Sequence, residues 1–185
     1  MELLNPPPAR WRRWLLRVLA VLTTLLAAGW LLPRQARVIR TMTMRAAPEA
    51  VFERVATLRR WPEWTAWTTN RFPDLVYRFT GPESGVGATL IATGQSSGDG
   101  TVTLTRAVPA EGVAYTLDFN HGTQRFDGAI DFANTPEGLR VTWTLTADLG
   151  GNPLKRWGGL AMGTLMGGDM KEGLAKLKVQ VEQRR

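Results

Sequence analysis

The sequence "APEAVFERVATLRRWPEWTAW", residues 47–67, predicts two short helices in direct succession. In its first part Val51 and Val55 recur at the spacing that places apolar side chains on one helix face. Pro48 stands in the first turn of this helix, where a proline is tolerated, and Pro62 interrupts the pattern. The second helix is therefore expected to begin at about Pro62.

Three tryptophans, Trp61, Trp64 and Trp67, fall at intervals of three residues in this stretch. They allow two interpretations, an aromatic cage that holds a ligand or a hydrophobic plug. Residues three apart on a helix share one broad face, and large aromatic side chains beside a sheet usually fill an open end of it. We favour the plug, with one of the three indoles reaching a cavity.

The rest of the chain predicts an antiparallel sheet covered by one long helix. Residues 36–44 form a first strand, and after Asn70 apolar and polar residues alternate in six segments separated by glycine-containing turns. The six segments are residues 75–81, 85–94, 100–109, 112–120, 124–134 and 138–149. A helix follows over residues 152–182, with Asn152 as its cap and Pro153 in its first turn. The predicted class is α+β, because one long helix must cover the buried face of a curved sheet.

These segments resemble the SRPBCC superfamily, also called START-like or Bet v 1-like, with its polyketide cyclase/dehydrase and lipid transport-type domains. The resemblance rests on residues 47–67, on "GPESGVGATL" at 81–90, on "GLRVTWTL" at 138–145 and on "GLAKLKVQVE" at 173–182. It covers about residues 37–182. It implies a helix-grip fold, in which a bent antiparallel sheet wraps around the long C-terminal helix and leaves a cavity between them. It also implies binding of a hydrophobic small molecule, and it transfers no catalytic residue.

An apolar segment near the N-terminus predicts a transmembrane helix at residues 14–33. Residues 18–32 carry no charge, and a helix of this length, at about 1.5 Å per residue, nearly crosses a ~30 Å hydrocarbon core. A cleaved signal peptide is the alternative, but the apolar run continues past the small residues where cleavage would fall. We therefore expect a basic tail at residues 1–13, an uncleaved anchor, and a helix-grip domain at residues 36–185.

The orientation of this anchor follows from arginines on its two sides. Four lie within residues 10–17 and four within residues 34–45, so the count is nearly balanced. The first group is tighter and closer to the span. We therefore expect a single-pass membrane protein with a cytoplasmic N-terminus and an extracytoplasmic domain.

The composition excludes several kinds of chemistry. The 185 residues include no cysteine and one histidine, so disulfides, thiolate nucleophiles and histidine-rich metal sites are ruled out. His121 lies between Asn120 and Gly122, a turn context that favours a solvated loop residue over an acid or base. The net charge of +7 comes from scattered basic residues, so we expect no nucleic-acid partner, and nothing in the sequence indicates a cofactor or a metal.

Residues expected to line the implied cavity are large aromatic side chains and the methionines of the closing helix. They are Trp64, Trp67, Tyr77, Tyr115, Phe119, Phe126, Trp143, Met162, Met166 and Met170. The same helix carries six glycines between Gly158 and Gly173. Each costs a helix roughly 0.8–1 kcal/mol relative to alanine. Either close packing on the sheet offsets this cost, or the segment frays; we hypothesise that it is the movable wall of the cavity.

Three functions remain open at this point. The first is a membrane-anchored domain that binds a hydrophobic or amphipathic, lipid-like small molecule in an internal cavity. The second is a cyclase/dehydratase-type enzyme, which needs an acid or base inside that cavity, and the sequence offers no candidate stronger than the hydroxyls of Tyr77 and Tyr115. The third is an interaction or stress-response domain whose cavity has closed. No catalytic residue is assigned.

Overall fold

The computed structural model describes residues 9–183, so the first eight residues of the predicted basic tail and the last two of the predicted domain lie outside the described part. The elements are α1 (Ala9–Leu31), β1 (Gln35–Met44), α2 (Pro48–Ala56), a 3-10 turn (Leu58–Arg60), α3 (Trp61–Trp64), β2 (Val76–Thr80), β3 (Thr89–Thr93), β4 (Gly100–Val108), β5 (Gly112–Phe119), β6 (Gln124–Thr135), β7 (Gly138–Asp148) and α4 (Pro153–Glu182). This order confirms the predicted α+β fold.

The seven strands form one curved antiparallel sheet in the order β1-β7-β6-β5-β4-β3-β2. From β2 to β6 each strand pairs with the next strand along the chain, as the predicted meander requires. The first strand closes the other side by pairing with β7, from Gln35 opposite Asp148 to Met44 opposite Leu139. The register of β4 against β5 shifts between Leu104 and Arg106, and such a bulge bends and twists a strand locally.

The core lies between one face of this sheet and the helices α2 and α4. Alternate residues of β7 face it, as predicted from their spacing, and each is at most 7% exposed. They are Leu139, Val141, Trp143, Leu145 and Ala147. On the opposite side Leu174 and Leu177 of α4 are fully buried. The side chain of Asn152 accepts a hydrogen bond from the Leu154 N–H and so caps α4 where the sequence predicted.

Two elements are shorter than predicted. The helix α3 ends at Trp64 because Thr65 is extended, with ψ of 167°, so the three tryptophans do not share one helix face. Trp67 lies beyond this helix, where its ring packs 5.6 Å from that of Phe119. The strand β3 begins at Thr89 rather than at Gly85, because Gly85 and Gly87 have positive φ and the chain turns there.

The N-terminal helix α1 attaches to the start of α4. Arg156 is buried, and its guanidinium donates hydrogen bonds to the carbonyl oxygens of Trp30 at 2.7 Å and Leu32 at 3.2 Å. The indole of Trp157 donates to the carbonyl oxygen of Leu25 at 3.0 Å. Among the described residues α1 is the one helix long and apolar enough to cross a membrane, over Trp11–Leu31, and most of its side chains are exposed.

Candidate functional site

A cavity of about 220 Å³ lies between the sheet and the middle of α4. Its walls come from the segment around α3, from strands β2 to β5 and β7, and from α4. It is lined by Trp61, Pro62, Thr65, Ala66, Trp67, Tyr77, Leu90, Ser97, Val102, Tyr115, Leu117, Phe119, Trp143, Leu145, Leu165, Met166, Asp169 and Met170. We call it the internal cavity. Its walls are mainly aromatic and aliphatic, with few polar groups, which is the usual make-up of a small-molecule site.

The structure brings most of the predicted cavity residues together. Those lining the internal cavity are Trp67, Tyr77, Tyr115, Phe119, Trp143, Met166 and Met170. Phe126 and Met162 instead line a second cavity of about 350 Å³, which lies between the start of β6, the end of β7 and the first half of α4. Met166 belongs to the walls of both cavities.

Trp64 lies behind the internal cavity rather than in its wall. It is fully buried, and its ring packs 5.4 Å from that of Trp61 and 5.3 Å from that of Trp143, both of which line the cavity. The indole N–H of Trp61 donates to the carbonyl oxygen of Val55 at 2.9 Å, whereas that of Trp64 has no hydrogen-bond partner within residues 9–183. Trp64 therefore supports the aromatic wall from behind, and its N–H is an unsatisfied buried donor.

Tyr115 presents the most deeply buried polar group in the wall. Its hydroxyl oxygen accepts a hydrogen bond of 2.8 Å from the indole N–H of Trp143. In the described part of the chain no acceptor takes the hydroxyl proton, so this O–H is available to a ligand. Burial raises the pKa of Tyr115 well above its usual range, so the group stays neutral and acts as a hydrogen-bond donor.

A glycine opposite Tyr115 makes this placement possible. Gly128 of β6 pairs directly with Tyr115 of β5, and a Cβ atom at Gly128 would collide with the tyrosine ring. The ring therefore lies flat over the backbone of β6. Such cross-strand covering of a glycine by an aromatic ring fixes the ring and shields the backbone.

The hydroxyls of Tyr77 and Ser97 and the carboxylate of Asp169 in the internal cavity already have partners. The hydroxyl of Tyr77 donates to the carbonyl oxygen of Trp67 at 2.7 Å, and the hydroxyl of Ser97 donates to that of Gly98 at 3.0 Å. Asp169, the one acidic residue of the wall, forms an ion pair of 2.7 Å with Arg71, and this pair raises the pKa of the Arg71 side chain. The arrangement favours hydrogen bonding to a ligand over proton abstraction, because the free donor is neutral and the carboxylate is paired.

Asp169 and Ser97 are cavity residues that the sequence analysis missed, and Trp61 joins Trp67 as a second indole of the opening stretch that lines the cavity. Asp169 follows Met166 by three residues and so lies on the same side of α4 as the methionine series, a spacing that was readable in the sequence. Ser97 lies in the turn before β4, and nothing in its local sequence indicates that this turn reaches the cavity.

The glycines of α4 divide into two groups by their surroundings. A Cβ atom would collide with Leu149 at Gly159, with the Arg40 guanidinium at Gly167, and approach Trp143 at 3.0 Å at Gly173. At three others, a Cβ atom would meet nothing within 4 Å. These are Gly158, Gly163 and Gly168. Close packing therefore accounts for half of the glycines, and the rest carry the helix-propensity cost with no packing that requires it.

Arg40 shows what the packed glycines permit. Its guanidinium packs against α4 and donates hydrogen bonds to the carbonyl oxygens of Gly167 at 3.1 Å and of Gly163 at 3.2 Å. A larger side chain at residue 167 would fill this space, so the glycine ties β1 to α4 through the arginine.

His121 lies away from both cavities. The His121 side chain is exposed in a turn with positive φ and lies 3.1 Å from a carboxylate oxygen of Asp99. This placement agrees with the prediction of a loop residue. Within residues 9–183 no group of three histidine or acidic side chains could hold a metal ion.

A curved antiparallel sheet gripping one long helix, with a cavity between the two, defines a protein of the helix-grip class. Solved structures share this fold at low identity. One is the di-domain ARO/CYC StfQ from the steffimycin biosynthetic pathway, at a TM-score of 0.59 and 16% identity, covering 81% of this chain and 52% of that one. Another is Ara h 8.0201, at a TM-score of 0.57 and 13% identity over 81% and 99% of the two chains. A third is a protein from Rhizobium leguminosarum, at 0.57 and 15% over 81% and 96%.

The chain belongs to the polyketide cyclase / dehydrase and lipid transport family, whose model matches residues 35–182. No curated protein matches it in sequence. Family membership and the cavity together support a ligand-binding domain.

Proposed function

We propose that this protein is a membrane-anchored domain that binds a hydrophobic or amphipathic, lipid-like small molecule in the internal cavity. The observation that carries the proposal is the composition of this cavity. Six aromatic side chains line a space of about 220 Å³ in which the Tyr115 hydroxyl is a free hydrogen-bond donor. An apolar ligand body would pack on the aromatic rings while a single acceptor atom binds Tyr115.

The internal cavity alone is smaller than the ~300–1,000 Å³ of typical ligand sites. The second cavity adds about 350 Å³, and the side chains of Leu165 and Met166 border both. Methionine side chains change rotamer easily and fit irregular ligands. A chain-like ligand that displaces Met166 would therefore occupy both spaces in succession.

The anchor in this proposal is α1. Its apolar window, Trp11–Leu31, is long enough to span a bilayer and almost none of it is buried, as a lipid-facing helix requires. We divide the chain into the basic tail at residues 1–13, the span at residues 14–33 and the ligand-binding domain at residues 36–185. The N-terminus is cytoplasmic and the domain lies on the opposite side of the membrane, as the arginine distribution favours.

Native mass spectrometry of the full-length protein, released from detergent and followed by lipid extraction, tests the proposal. We expect a defined hydrophobic ligand to copurify with the wild-type protein. Ala66→Phe adds a ring inside the cavity wall and should exclude the ligand, while Ala175→Phe adds the same ring at an exposed position of α4 and should retain it. Thermal unfolding of both variants checks that they are folded. A ligand-free wild-type protein, or equal ligand content in the two variants, would contradict the proposal.

A further inference from the structure

The outer face of α4 changes character along its length. In the first half the exposed positions carry apolar or glycine residues, apart from Lys155 and Thr164. The large apolar ones are Leu154, Trp157, Leu160 and Leu165, of which the three leucines are 60–72% exposed. In the second half Lys171 and Glu172 are exposed, as on an ordinary wetted helix. A contiguous apolar face of this kind marks an interaction surface.

Contacts with α1 place this face beside the anchor. A Cβ atom at Gly29 would touch Pro153, and the Trp157 indole binds the carbonyl oxygen of Leu25. Leu25 lies six residues before the end of α1, which is about 9 Å along a helix that rises 1.5 Å per residue. The first two turns of α4 therefore run alongside the last two turns of the apolar window of α1.

The chemistry of the surrounding residues fits a membrane boundary. Arg34, Arg37 and Lys155 are exposed around the junction of α1 and α4, where cationic side chains meet phosphate headgroups. Between Pro153 and Gly168 the sequence contains no acidic residue.

We propose that the first half of α4, Pro153 to Gly168, lies in the bilayer leaflet that contains the C-terminal end of α1, with Leu154, Trp157 and Leu160 facing lipid. This inference rests on the proposed anchor, because the depth of α4 is set by α1. The apolar face of α4 is then covered by the phospholipids of this leaflet.

The proposal gives the second cavity a role. This cavity is bounded on the α4 side by Lys155, Gly158, Gly159, Met162 and Met166, all in the half that would contact lipid. It would therefore open towards the leaflet. A lipid chain would pass from the leaflet into this cavity and then past Met166 into the internal cavity, with no transit through water.

The absence of cysteine makes a direct test possible, since each introduced cysteine is the single labelling site. The full-length protein is reconstituted in nanodiscs of phosphatidylcholine and phosphatidylglycerol with a nitroxide at Leu22→Cys, Leu154→Cys, Leu160→Cys or Val179→Cys. All four positions are at least half exposed, so labelling should preserve the fold, which circular dichroism checks. Collisions with oxygen report lipid, and collisions with a water-soluble nickel complex report solvent.

Val179 is the matched control, because it is an exposed apolar residue of the same helix far from α1. We expect labels at residues 22, 154 and 160 to collide at least several-fold more with oxygen than with nickel, and the label at residue 179 to show the reverse. If residue 22 is in lipid but residues 154 and 160 resemble residue 179, the leaflet position of α4 is wrong and the anchor stands. If residue 22 is in water, the anchor itself is wrong, and this inference is overturned with it.

Discussion

Three glycines of α4 provide a test of whether this helix is a movable wall. At Gly158, Gly163 and Gly168 an added Cβ atom would meet nothing within 4 Å, so alanine is sterically accepted at each. Alanine stabilises a helix interior by about 0.8–1 kcal/mol relative to glycine, so the triple variant should gain about 3 kcal/mol in this segment. Local opening of the helix should then become roughly a hundredfold rarer.

Hydrogen exchange read by mass spectrometry measures this opening directly. In the wild-type protein we expect residues 160–170 to exchange faster than the central strands β5 to β7. In the triple alanine variant exchange in the same peptide should slow by about two orders of magnitude. If α4 is the movable wall, release of a bound ligand should slow as well, because opening then costs more.

The matched control is Gly167→Ala on the same helix. A Cβ atom there would displace the Arg40 guanidinium from its hydrogen bonds to the Gly163 and Gly167 carbonyl oxygens, and this loss should cancel the helix-propensity gain of about 0.8–1 kcal/mol, so the change should bring no gain in stability. Unchanged exchange in the triple variant, or a gain in stability from Gly167→Ala, would refute the division of the glycines. If exchange slows but ligand release does not, the division of the glycines stands and the hypothesis that α4 is the movable wall is wrong.

Other predictions concern the aromatic wall. Gly128→Ala should displace the Tyr115 ring and lower the free energy of unfolding by about 1–3 kcal/mol, whereas Ala129→Gly beside it removes only a methyl group and serves as the comparison in urea titrations. Trp64→Ala should cost about 3–5 kcal/mol because the residue is fully buried behind the cavity; an unchanged melting temperature with lost ligand binding would instead restore the aromatic cage. Tyr115→Phe should weaken binding of the copurified ligand by up to about tenfold, measured by displacement with a competing fluorescent fatty acid, and equal affinity would show that the hydroxyl does not contact it.

The order of the elements was predictable because its signals are local. Alternation in β7 and the Asn152 cap of α4 act within a few residues, and the structure has both where the sequence indicated. The prediction failed where a local pattern stopped early. Gly85 and Gly87 turn the chain before β3, and Thr65 ends α3 before Trp67, so tertiary packing decides where the last indole lies.

The sequence predicted an aromatic and methionine-lined cavity, but only some of the residues that line it. Period-two spacing identified inward-facing aromatics such as Tyr115 and Trp143, and helical spacing identified Met166 and Met170. The separation into two cavities could not be read from spacing, because it depends on how α4 crosses the sheet. The contact of Arg156 with Trp30 joins residues 126 positions apart, and no local pattern reports such a pair.

The Arg156 contacts also limit how far the domain can travel. Only residues 32–34 separate α1 from β1, so the connection between the two is short. The Arg156 guanidinium also binds the carbonyl oxygens of Trp30 and Leu32, which restricts the movement of this connection. Three extended residues span about 10 Å, far less than a soluble carrier covers by diffusion. With α1 as the anchor, the domain cannot carry a bound ligand from one membrane to another. It would instead take molecules from the bilayer that holds its anchor.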